Sequence, residues 1–178
     1  MPPASGEFRD QLVAAIPGLR AFGMSLTARA DQADDLVQET LMKAWNHQDS
    51  YENGTNLRAW LYTILRNEFY SQIRKRRREV EDADGEYAAK MATAGGQESN
   101  LEMADLRIAL SKLPEDQREA IILVGASGFS YQEASQISGA AIGTVKSRVS
   151  RARDRLATLL GGDRLVLATM EIDAGAPK

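Results

Sequence analysis

The sequence predicts an all-α protein: two small helical domains joined by a flexible acidic linker, the second containing a helix-turn-helix. Three observations carry this expectation. Apolar residues recur at helical spacing along most of the 178 residues, and no region is dominated by strand-like alternation. Residues Ser130 to Arg155 read as two short helices about a glycine turn. Charge is segregated: Arg74 to Arg78 are five consecutive cations, whereas residues 79–106 hold eight carboxylates (Glu79, Glu81, Asp82, Asp84, Glu86, Glu98, Glu102, Asp105) against Lys90.

The first domain spans 5–78. Phe8, Leu12, Ala15 and Ile16 share a helical face, and Pro17 is expected to open a new helix at its first turn, carrying Leu19, Phe22 and Leu26. A third helix covers 31–46, with Leu36, Val37, Leu41, Ala44 and Trp45 on its buried side. Asp31, Asp34 and Asp35 suit its start, where the helix dipole favours anions. Asp35, Gln38 and Glu39 form an exposed polar ridge suited to a protein partner. A polar loop, 47–56, turns at Gly54, and the sole histidine, His47, reads as a C-terminal cap. The helix 57–78 follows, with Leu57, Trp60, Leu61, Ile64, Leu65, Phe69 and Ile73 facing the core.

Five cations exceed what capping a helix end requires. Aromatics interleave nearby at Tyr51, Trp60, Tyr62, Phe69 and Tyr70, and aromatics beside cations are what stacking on unpaired bases needs. Trp60 and Phe69 read as core, so Tyr51, in a loop with Asn53, Thr55 and Asn56, is the candidate for meeting an extruded base.

Residues 79–97 form the linker, with a transient helical turn expected at 87–92. The second domain spans 98–161. Leu101, Leu106, Ile108, Leu110 and Leu113 belong to one helix, and Pro114 opens the next, which runs to Gly125 or beyond. Ser130 and Glu133 form a capping box for a helix over 131–138. Ser135 is placed at the helix crossing as the small residue, and Gly139 suits a positive-φ turn. The second helix carries an apolar stripe of Ile142, Val145, Val149, Leu156 and Leu159. Its other faces bear Thr144, Lys146, Ser147, Arg148, Ser150, Arg151, Arg153 and Arg155. Such a helix lies in the major groove, where Lys and Arg donate to guanine and hydroxyls bond adaptably. Lys146, Ser147, Arg148, Ser150 and Arg151 are therefore the DNA face, with Thr144 beside them; Arg153 and Arg155 reach phosphate or an acidic neighbour. Residues 162–178 form a tail.

Net charge is −3, unpromising for a nucleic-acid binder, but screening confines fields to about 10 Å, so the local cations decide. The absence of cysteine excludes disulfides and thiolate metal sites. No metal site, cofactor, phosphate loop or catalytic nucleophile is expected, so an enzyme is the weakest reading. Without a signal peptide or membrane span in its pattern, a cytoplasmic protein, acting as a monomer, is expected.

Four stretches in order, DDLVQETLMKAW, NLRAWLYTILRNEFYSQIRKRRR, LPEDQREAIILV and GTVKSRVSRARDRL, closely resemble a bacterial RNA polymerase sigma factor of the extracytoplasmic-function group. The resemblance covers about residues 8–160, and SYENGTNLRAWLYTILRNEFYSQIRKRRR is similar to the general-stress-response subgroup. It implies that residues 31–46 dock on the clamp coiled coil of the polymerase largest subunit through Asp35, Gln38, Glu39 and Lys43. It implies that Tyr51, Asn53, Asn56, Asn67, Ser71, Arg74 and Lys75 serve the −10 element and a flipped base. The last domain, which also meets the polymerase flap, would read the −35 element through Thr144 to Arg153, and the acidic linker would thread toward the RNA exit path. A NepR-like anti-sigma protein is the implied inhibitor. Ala134 and Ser135 stand where many relatives have Ile and Ala, which keeps the crossing small. The readings competing with a promoter-specificity subunit are a stand-alone helix-turn-helix repressor and a mimic that binds only the anti-sigma protein.

Overall fold

The computed structural model describes residues 5–52, 54–82 and 101–161. The chain divides into two compact units, Met1–Ala94 and Gly95–Lys178. Their elements are α1 (Ser5–Thr27), α2 (Ala30–Asn46), a 3-10 turn (Gln48–Ser50) and α3 (Leu57–Asp82), then α4 (Leu101–Ser111), α5 (Glu115–Ile121), a π-helical turn (Ile122–Ala126), α6 (Tyr131–Ser138) and α7 (Ile142–Leu160). No strand occurs among the described residues, and no helix there is long and apolar enough to cross a membrane. The turn considered at 87–92 and the tail from 162 lie outside them.

In the first unit α1 packs on α2 and α3, and α2 on α3. Pro17 does not begin a helix; it lies inside α1 on an exposed face. An internal proline costs about 3 kcal/mol. Phe8, Leu12, Leu19, Phe22 and Leu26 are all buried along one continuous α1, each contributing about 1.5–3 kcal/mol, and their sum outweighs the proline. Two close approaches set the packing. At Gly18 an added β-carbon would stand 2.8 Å from the Tyr62 hydroxyl, and at Gly23 one would stand 3.4 Å from the β-carbon of Ala33 on α2. Tyr62 is itself core, stacked on Phe22 at 4.9 Å, rather than an aromatic available to bases.

Trp45 is a second departure. It was expected on the buried side of α2 but is 41% exposed, tilted against Phe8 at 6.4 Å. The buried row is Ala33, Leu36, Val37, Thr40 and Ala44, which follows the helical repeat without Trp45. Thr40 is buried without penalty because its hydroxyl donates to the Leu36 carbonyl at 2.7 Å. His47 caps α2, its amide on the Lys43 carbonyl at 3.0 Å and its Nδ1 2.9 Å from the same oxygen. The long helix α3 extends to Asp82, four residues past the expected end at 78.

In the second unit α5 and α6 pack against α7, with α4 beside it. Ile108 is 53% exposed, while Ala109 and Leu113, one turn apart, are buried. Pro114 occupies the N-cap of α5. The chain then widens into the π turn, where the Ser127 amide donates to the Ile122 carbonyl at 2.8 Å. Phe129 is buried behind it.

Candidate nucleic-acid interface

The second unit builds its helix-turn-helix from local bonds. The Ser130 hydroxyl accepts from the Glu133 amide at 3.1 Å, and the Glu133 carboxylate accepts from the Ser130 amide at 2.8 Å, completing the capping box. Gly139 takes φ +71° at the turn. The fully buried small residue on α6 is Ala134, not Ser135; the Ser135 hydroxyl instead donates to the Ala140 carbonyl at 2.6 Å, fastening the turn. Ala134 and Ile137 share the inward face, which leaves Ser135 to one side.

On α7 the buried row is Val145, Val149, Ala152 and Leu156. Ile142 and Leu159, expected in that stripe, are each 42% exposed, because they fall at the ends of the helix beyond the row. Ala152 was the missed member: its small side chain is a weak sequence signal, yet it is fully buried.

The candidate DNA residues on α7 are held differently from one another. Thr144, Ser150 and Arg151 are exposed. The Ser147 hydroxyl donates to the Thr144 carbonyl at 2.9 Å. Lys146 lies over the Tyr131 ring, 5.6 Å from its centroid. Arg148 is ion-paired with Asp116, its Nε 3.1 Å from a carboxylate oxygen. Arg153 is half-buried, with a buried Nε that has no hydrogen-bond partner among the described residues. Asp116 and Tyr131 were not among the sequence candidates, and both come from other helices.

In the first unit a polar cleft between the end of α2 and α3 is lined by Lys43, His47, Ser50, Trp60, Ile64, Asn67, Glu68, Ser71 and Arg74. It brings together Asn67, Ser71 and Arg74, all exposed on α3. Lys75 is also exposed, 4.0 Å from Glu79. Tyr51 is half-buried: its ring lies 5.4 Å from Trp60 and 6.2 Å from Phe8, and its hydroxyl donates to the Thr55 carbonyl at 2.7 Å. Asn56 caps α3, its side-chain oxygen accepting from the Ala59 amide at 3.1 Å. Asn53 lies outside the described residues. Arg66 covers Tyr70, 4.6 Å from its centroid.

On α2, Asp35 and Gln38 are exposed and Glu39 half-exposed. Met42, 61% exposed, and Trp45 continue the same face, and with Val13 on α1 they border an apolar groove. Asp34 is taken by Arg20 at 2.6 Å. Lys43 is taken by Glu68, which also accepts from Gln72 at 3.0 Å. The Lys43 hydrogen bond holds the Glu68 carboxyl below the usual carboxylate range, with Gln72 assisting against burial.

Comparison with known proteins accounts for both units. The model of sigma-70 region 2 matches residues 12–79, and that of sigma-70 region 4 matches residues 104–156. The chain is 60% identical over 158 residues to the ECF RNA polymerase sigma factor EcfG of Rhodopseudomonas palustris (strain TIE-1), covering 89% of this chain and 87% of that protein. Among solved structures it is similar to the sigma factor RpoE of Bartonella quintana, crystallised with the anti-sigma factor NepR. That match has 58% identity and a TM-score of 0.79, over 88% of this chain and 98% of the other. CnrH, solved with the cytosolic domain of CnrY, matches at 27% identity and a TM-score of 0.66, over 90% of this chain and 92% of the other. The chain belongs to the sigma-70 family of RNA polymerase sigma factors, in its extracytoplasmic-function group.

Proposed function

We propose that this sigma factor works through three separate surfaces. The α2 ridge of Asp35, Gln38 and Glu39 engages the clamp coiled coil of core RNA polymerase. The cleft lined by Asn67, Ser71 and Arg74, with Lys75 beside it, serves the −10 element. The exposed side of α7, Thr144 to Arg153, reads the −35 element. The observation that carries this reading is the convergence of Asn67, Ser71 and Arg74 on one cleft beside the half-exposed Trp60, where hydrogen-bond donors and acceptors stand next to an aromatic face. Tyr51 and Asn56 serve the same element indirectly, by fixing the loop and the start of α3. Lys43 supports the polymerase surface through its pair with Glu68.

The factor acts in the cytoplasm, in a stress response, and is held inactive by a NepR-like anti-sigma protein. The relative solved with NepR supports this partner. Core polymerase pull-down tests the first surface: Asp35→Lys with Glu39→Lys is expected to weaken core association at least tenfold while circular dichroism stays unchanged. Retention of full core binding by that variant would refute the α2 assignment. Binding of a palindromic duplex by a dimer, without polymerase, would favour a stand-alone repressor instead.

A further inference from the structure

Within α7 the long cations are not equivalent. At about 100° per residue, Gly143, Ser147, Ser150 and Arg151 face away from the buried row of Val145, Val149, Ala152 and Leu156. Three of these four are small, so the helix can come close to base edges, and Arg151 is the one long donor among them. Its guanidinium has no ion pair or hydrogen-bond partner among the described residues. Lys146 and Arg148 leave the helix on opposite flanks, about 160° apart around the axis. Each flank is tethered to a different element: Lys146 to the Tyr131 ring at the start of α6, and Arg148 to Asp116 on α5.

We infer that the recognition helix divides its labour. Arg151 reads a guanine edge directly, whereas Lys146 and Arg148 grip the phosphates on the two walls of the groove and set the helix's register. The chemistry favours this split. A guanine presents O6 and N7 as paired acceptors that suit an uncommitted guanidinium. A guanidinium whose Nε is ion-paired with a carboxylate keeps its terminal nitrogens for a phosphate oxygen, and a lysine lying over a ring acts as a point charge. Phosphate contacts position the protein and base contacts specify the sequence. Asp116 and Tyr131 are then positioning residues, acting through Arg148 and Lys146.

This inference rests on α7 reading the −35 element, and the experiment separates the two. Full-length chain and core polymerase are assayed for promoter binding on templates varied one base pair at a time across the −35 element, between about 50 and 200 mM salt. Arg151→Ala is expected to relax discrimination at one base pair roughly tenfold to a hundredfold. Arg151→Lys is expected to do the same while preserving the salt slope. Lys146→Ala and Arg148→Ala are each expected to weaken all templates alike and to reduce the slope by about 1. Wild-type holoenzyme indifferent to every −35 change would overturn the reading of α7 itself. Wild type that discriminates, with Arg151 variants discriminating equally well, would overturn the division of labour. So would loss of preference at a single base pair in Lys146→Ala or Arg148→Ala.

Discussion

The ammonium of Lys43 on α2 is paired with the carboxylate of Glu68 on α3, joining two helices at the rim of the polar cleft. Glu68 is largely enclosed, its side chain 13% exposed, and it holds Lys43 and Gln72 together. Because the folded Glu68 titrates below its unfolded value, the stabilisation is complete above the ordinary carboxylate range, near pH ~4.3, and is lost as pH falls through the folded value. Glu68→Gln is therefore expected to flatten the acid limb of stability against pH, measured by urea midpoints between neutral and acid conditions. An unchanged acid limb would show that the pair contributes nothing to folding.

Gly18 and Tyr62 define how closely α1 approaches α3. A methyl at position 18 would stand 2.8 Å from a hydroxyl whose residue is 1% exposed and cannot swing away. Gly18→Ala is expected to destabilise the first unit by about 1–3 kcal/mol through overpacking. Tyr62→Phe removes the clashing oxygen, so the double variant is expected to recover part of that loss, a coupling readable in a double-mutant cycle of thermal midpoints.

The capping box makes α6, only eight residues long, dependent on its first turn. Ser130→Ala is expected to cost about 1 kcal/mol in the second unit, and Gly139→Ala about 1–2 kcal/mol because φ is +71° there. Denaturant unfolding checks both. Both variants are expected to weaken −35-dependent transcription more than core binding, since the ridge proposed to engage polymerase lies in the other unit.

Much of this architecture was legible because helical period and local caps are short-range signals. The capping box of Ser130 and Glu133, the turn at Gly139 and the cap at His47 each depend on residues within four positions of one another. Pro17 misled because proline marks a helix start locally, and only the continuous burial of Phe8 through Leu26 decides otherwise. Trp45 misled because a large aromatic on the flank of an apolar row reads as part of it. The tethers of Arg148 to Asp116 and of Lys43 to Glu68 join residues on different helices, and no spacing rule connects such positions. The tethers of Arg148 to Asp116 and of Lys146 to Tyr131 set these two cations apart from Arg151, which a list of cations cannot do.

Transcription by the full-length chain with purified core polymerase, on a library of randomised promoters, tests the central claim most directly. Enriched templates are expected to share two short elements at one fixed separation. Replacing Asn67, Ser71 and Arg74 by alanine is expected to erase preference at the downstream element, and replacing the exposed cations of α7 by alanine at the upstream one. Enrichment of a single element, or unchanged preferences in both sets of variants, would contradict the assignment of one element to each unit.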